Sequence, residues 1–258
     1  MILVVGCGFV GQTVAKSLED DGQEVVRIDP KYNNNKIADY KDKAVCAIVA
    51  VPTPTSYDKD SPYYGGCDDS IIKEVLDELG PIRTLLKCTV PPDMLDKYPK
   101  NVTYNPEFLR AKTAQEDWDN QKFFILGGEP EECEWWARKF SYLPKQKYNF
   151  LDVTRFIFTD RKTASAVKYM HNCWLAMKVA FFHDMYSRLD KSIDYDRMIE
   201  ILGLFENIGP SHMKAPNEEG KLGYGGHCFP KDVQAFYNYT DSGILEKIID
   251  INRRLREE

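Results

Sequence analysis

A chain of 258 residues, 43% hydrophobic and 29% charged, is long enough to bury one large core or two small ones. Its net charge of −6 argues against a nucleic-acid surface. Its longest apolar run, 44–51, is far short of the roughly 20 residues that cross a membrane. Neither a nucleic acid nor a membrane is an expected partner.

Seven cysteines (7, 46, 67, 88, 133, 173 and 228), an odd number with no Cys-x-x-Cys pair, fit neither a disulfide framework nor a zinc site. His171 and Cys173 lack partners at ligand spacing, so no metal is expected. With no basic region ahead of the apolar N-terminus, the expected setting is reducing and cytoplasmic.

In chain order, 2–5 reads as a strand and 9–20 as a helix; 24–28 and 45–51 are further strands. A helix over 69–79 can be capped by Asp68 or Asp69. Strands follow at 84–88, 101–104 and 123–126, then a helix at 131–141 and a strand at 155–159. This alternation predicts an α/β domain over 1–160, a Rossmann-type doubly wound parallel sheet. From 162 to 189 there is no proline or glycine, which predicts one long helix. Helices at 194–203 and 243–257, joined by a glycine-rich loop, complete a mainly helical domain over 161–258. Trp135-Trp136 reads as packing and Tyr63-Tyr64 as loop.

Gly6, Gly8 and Gly11, with Phe9 and Val10 between, lie where a strand gives way to a helix. In that context Gly-x-Gly-x-x-Gly is a dinucleotide fingerprint: tight turn, close pyrophosphate, helix packed on strand. Asp29 ends the second strand, where its carboxylate can bond the ribose hydroxyls and repel a 2′-phosphate, so NAD is the expected cofactor. Arg27 leaves room for a phosphate. Near the other end stands Gly223-Tyr224-Gly225-Gly226-His227-Cys228-Phe229-Pro230-Lys231-Asp232. A thiol on a glycine loop beside a lysine reads as an activated nucleophile.

Together the fingerprint 6–11, Val51-Pro52-Thr53-Pro54-Thr55, Lys87-Cys88-Thr89-Val90-Pro91, Asn105-Pro106-Glu107-Phe108-Leu109, Lys168 with Asn172, and 223–232 resemble the UDP-glucose/GDP-mannose dehydrogenase family. The resemblance implies four-electron oxidation of a sugar alcohol to a carboxylate, UDP-glucose to UDP-glucuronate being the expected case. Cys228 would carry the thiohemiacetal and thioester. Lys168 and Asn172, four residues apart on a helix, would stabilise oxyanion character. Asp232 and Thr89 would hold a water or the reacting oxygen, and Glu107 would be the base for hydrolysis. Thr53, Pro54 and Thr89 would face NAD. Phe108, Leu109, Tyr224, Gly225 and Gly226 would join Glu107, Lys168 and Asn172 around the nucleotide sugar.

Two departures stand out. Ala111 replaces the family's usual second glutamate, and the sequence stops at Glu258, where members usually continue into a domain that grips the nucleotide. On that reading the sugar nucleotide would be held weakly. The long apolar-faced helix needs a cover, and in the resembling family it helps build a homodimer, which is the expected assembly. Two alternatives remain open: a β-hydroxyacid or 6-phosphogluconate type of dehydrogenase, for which a thiol is unnecessary, and a decayed NAD- or nucleotide-binding module.

Overall fold

The computed structural model describes residues 1–56, 61, 65–141 and 155–257. Tyr63-Tyr64, read as loop, lies outside them. The chain divides into two compact units: Met1–Pro54 with Cys67–Lys168, and Thr55–Gly66 with Tyr169–Glu258.

The first unit is built on seven strands: β1 (Ile2–Val5), β2 (Val25–Ile28), β3 (Cys46–Val49), β4 (Thr84–Leu86), β5 (Val102–Tyr104), β6 (Phe123–Gly127) and β7 (Arg155–Thr159). Their order is β2-β1-β3-β4-β5-β6-β7. The helices are α1 (Phe9–Asp20), α2 (Ile37–Tyr40), α3 (Ser70–Leu79), α4 (Pro92–Leu95), α5 (Ala114–Asp119) and α6 (Pro130–Ser141). Because side chains alternate along a strand, Ile2 and Val4 enter one core while Leu3 and Val5 enter the other. The first core packs Val14, Ala15 and Leu18 of α1 with Trp118, Trp136 and Phe140; the second packs Ile72, Leu76 and Leu79 of α3. Burial on both faces explains the continuous apolar strands. Trp136 is fully buried and Trp135 lies at the edge of the same core, so this pair packs as expected.

The sheet is mixed rather than wholly parallel. β1 to β5 run parallel, β6 is antiparallel to β5, and β7 is parallel to β6. The segment after β5 forms α5, whose Trp118 Nε1 donates to Ser17 Oγ at 2.9 Å on α1, and the chain then turns back as β6. Asp69 is not a side-chain cap for α3. Its buried carboxylate instead accepts from the Tyr98 hydroxyl at 2.8 Å and pairs with Lys73, while Asp68 Oδ1 takes the Ser70 N–H at 2.9 Å.

The reversal of β6 and β7 sets the direction of α7 (Arg161–Arg188). Arg161 donates to the carbonyls of Leu95, Tyr98 and Pro99, on the segment entering β5. Ser165 Oγ donates to the Val90 carbonyl at 2.6 Å, and Lys168 Nζ sits 5.0 Å from the centre of the Phe108 ring. These ties extend the first unit past the boundary expected at 160, to Lys168.

The second unit holds the rest of α7, then α8 (Tyr195–Leu202), α9 (Phe229–Thr240) and α10 (Gly243–Glu257). The Asp194 carboxylate caps α8 through the Arg197 N–H. α9 replaces what the sequence reading took as the tail of a loop. Phe229, Val233, Phe236 and Tyr237 recur at helical spacing and pack with Cys173, Ala176, Leu245 and Ile248. No helix among the described residues is long and apolar enough to cross a membrane.

Candidate active site

The glycine loop leaves β1 at the point where the chain order switches sides, β2 lying on one flank and β3 on the other. Gly6 has φ +88°, and a Cβ there would lie 2.5 Å from the Ala50 carbonyl oxygen. A Cβ on Gly11 would fall 1.8 Å from the Gly6 oxygen, so this glycine lets α1 pack onto the turn. Gly8 differs: a Cβ there would meet nothing within 4 Å. It caps α1 without a side chain, beside exposed Phe9 and half-buried Val10. An open backbone at a helix N-terminus is a fit for a pyrophosphate.

Asp29 is held at the same place. Its Oδ2 accepts the Cys7 N–H at 2.6 Å and its Oδ1 the Lys31 N–H at 2.9 Å. Burial and the Asp29 charge push the Cys7 thiol up, which leaves it an inert neighbour. Arg27 is turned away: both oxygens of Glu19 on α1 receive its guanidinium, at 2.9 and 2.6 Å. Thr53 and Pro54 follow β3 and Thr89 follows β4. Buried Thr53 donates its hydroxyl to the Thr89 carbonyl at 2.9 Å, tying these two candidate segments together.

A buried charge cluster lies beside them. Lys87 Nζ has no side-chain exposure; it pairs with Glu107 Oε2 at 2.7 Å and donates to Asn105 Oδ1 at 2.6 Å, with the Trp118 ring 5.3 Å away. Glu107 Oε1 accepts the N–H groups of Phe108 and Leu109 at 2.7 and 2.9 Å. A carboxylate offers about four acceptor positions, and three are filled here. Glu107 can hold one more donor, but neutralising it would leave Lys87 buried beside no counter-charge. Lys87 stood in a quoted motif, but the sequence reading gave it no role. The signal for a buried role was a lysine directly behind the apolar strand Thr84–Leu86. The first unit thus brings together Lys87, Glu107, Phe108 and Lys168, all but half-buried Phe108 being buried.

The second unit gathers the other candidates. Cys228 is exposed whereas the other six cysteines are buried. It stands at the N-terminal end of α9, where the helix dipole favours negative charge. Asp232, one turn on, is buried; its Oδ2 accepts from Asn172 Nδ2 at 2.6 Å and its Oδ1 pairs with Lys231 Nζ at 2.7 Å. Lys231, the lysine that the sequence places beside the thiol, is paired with Asp232. Buried Cys173, next to Asn172, is pushed up to about 12 by burial first and Asp232 second. Tyr224, Gly225 and Gly226 line a cavity of about 390 Å³ together with Phe229, Lys214 and Arg256.

Residues 162–254 match the model of the UDP-glucose/GDP-mannose dehydrogenase family, central domain. The UDP-glucose 6-dehydrogenase of Rickettsia bellii is 31% identical over 226 residues, covering 82% of this chain and 49% of that protein. The chain thus spans about half the length of this relative. The fold is that of the UDP-glucose dehydrogenase of Pyrobaculum islandicum (TM-score 0.80, 21% identity, 98% of this chain and 68% of that one). It is also that of the UDP-D-ManNAc dehydrogenase of Pyrococcus horikoshii (TM-score 0.79, 17% identity, 99% and 69%).

Proposed function

We infer that this chain, which belongs to the UDP-glucose/GDP-mannose dehydrogenase family, oxidises a nucleotide sugar, UDP-glucose in the first instance, from primary alcohol to carboxylate. The observation that carries the reading is exposed Cys228 opening α9, with buried Asp232 one turn behind it and held by Asn172. Two molecules of NAD⁺ would each accept one hydride. Cys228 Sγ adds to the aldehyde carbon, and the resulting thiohemiacetal loses a hydride to become a thioester. Water then cleaves that carbon–sulfur bond, returning the thiol and releasing the acid. Lys168 supplies a cation for the developing oxyanion and Asn172 an amide donor. Glu107, paired with Lys87, uses its remaining acceptor position to orient a water.

NAD is favoured over NADP because Asp29 is already fixed beside the glycine loop and Arg27 is occupied by Glu19. The test is to supply UDP-glucose with each cofactor and count reduced cofactor per sugar consumed. Two NADH per sugar with no free aldehyde is expected, and NADP⁺ at least about tenfold slower. A single NADH with a released aldehyde or ketone would move the chain to the β-hydroxyacid type.

The chain also forms a homodimer through α7. Exposed Val167, Met170, Trp174 and Phe181 fall within about 60° of one another at 100° per residue. Trp174→Glu should sediment as a monomer where the parent chain is a dimer; a parent chain that sediments as a monomer at micromolar concentration would refute this.

A further inference from the structure

The backbone that precedes Cys228 takes its shape from α10. Asn252 Oδ1 accepts the Tyr224 N–H at 2.7 Å, and Arg256 Nε donates to the Tyr224 carbonyl at 3.1 Å. One turn of one helix therefore holds both backbone polar groups of a single residue. The flanking glycines record the same grip. A Cβ on Gly223 would lie 2.6 Å from Asn252 Oδ1, and one on Gly225 would lie 1.5 Å from an Arg256 guanidinium nitrogen. At these two positions the missing side chain makes room for α10. Of the three glycines in 223–226, Gly226, with φ +76°, is the one where a Cβ would meet nothing within 4 Å.

His183 on α7 fastens the loop from another side. Its Nδ1 accepts the Gly223 N–H at 2.9 Å while Nε2 lies 2.8 Å from the Lys214 carbonyl. A carbonyl partner assigns the proton to Nε2, which leaves Nδ1 as the acceptor of a neutral ring. Burial, foremost, with a smaller effect of Arg256, holds this imidazole below its ordinary pKa. The loop is thus pinned at the Gly223 N–H, the Tyr224 N–H and the Tyr224 carbonyl.

We propose that Asn252, backed by Arg256, is a positioning residue that presets the 223–226 backbone from which Cys228 is presented. The proposal rests on Cys228 being the nucleophile of the reaction inferred above. Preset geometry at a nucleophile lowers the barrier by removing the ordering that would otherwise accompany attack.

The test compares Asn252→Leu, which removes the acceptor oxygen, with Asn252→Asp, which keeps it. Arg253→Ala on the same helix is the control; its exposed guanidinium pairs with half-buried Asp250. In Asn252→Leu, hydrogen exchange at the Tyr224 amide is expected to rise at least about tenfold. With UDP-glucose and NAD⁺, kcat is expected to fall at least about tenfold while KM changes less than about threefold. Asn252→Asp should restore both quantities, and Arg253→Ala should match the parent. An Asn252→Leu chain with parental kcat would overturn the proposal, as would lost kcat with unchanged Tyr224 exchange, or an aspartate variant no better than leucine. If the parent oxidises no nucleotide sugar, the function inferred above falls by itself. The alkylation rate of Cys228 then decides the positioning: a change of about threefold or more in Asn252→Leu, absent in Asn252→Asp, supports it, and an unchanged rate sinks it.

Discussion

Cys228→Ala is expected to lose uronate formation, a fall of at least about 10³ in rate, or roughly 4 kcal/mol at about 1.4 kcal/mol per decade. On the proposed mechanism the aldehyde could not then be held as a thiohemiacetal, so oxidation should halt after one hydride. Cys228→Ser is expected to differ in kind. A hydroxyl can add to the carbonyl, but the resulting ester hydrolyses slowly, and the chain should gain the mass of the acyl group. Six buried cysteines cannot substitute, since they lie away from solvent and the described shifts at Cys46, Cys133 and Cys173 are all upward. Mass spectrometry of the serine chain, beside NADH counting in the alanine chain, checks both halves. An alanine variant that makes uronate at the parental rate would remove the thiol from the mechanism.

Lys87→Met is the second large effect, and it acts on the fold of the first unit. The ammonium has no exposure and its partner Glu107 is 7% exposed. Taking away one member of such a pair leaves a charge without solvent or counter-ion, which costs about 3–5 kcal/mol. In a chain of this size that lowers Tm by about 6–20 °C. The double variant Lys87→Met/Glu107→Gln should regain most of the loss, because the amide oxygen still accepts from Phe108 and Leu109 and no lone charge remains. Thermal unfolding of the parent, both singles and the double closes the cycle. A Lys87→Met chain within about 1 kcal/mol of the parent would show that Glu107 finds another partner.

Much of this molecule was legible in the sequence wherever a local pattern had no competitor. β1, α1, β7 and α10 fall where periodicity and glycine spacing put them. α9 did not, because three glycines and Pro230 read as loop. Pro230 in fact stands in the first turn of α9, where its missing N–H does no harm. Asp29 could be found from its distance to the glycines. The pairing of Arg27 with Glu19 could not, since it crosses from β2 to α1. Lys87 and Asn252 share that difficulty. Lys87 meets residues 18 and 20 positions later (105 − 87 and 107 − 87), and Asn252 reaches back 28, distances that no spacing rule encodes.

The first turns of α7 act as a ruler. Arg161, Ser165 and Lys168 are spaced i, i+4 and i+7, so all three face the first unit from one side of the helix. Each added residue advances a helix by about 1.5 Å and rotates it by about 100°. A one-residue insertion after Ser165 would keep the two upstream ties and swing Lys168 away from Phe108, whereas a substitution there leaves its phase intact. Chain length between Arg161 and Lys168, more than the identity of the residues that fill it, aims the ammonium.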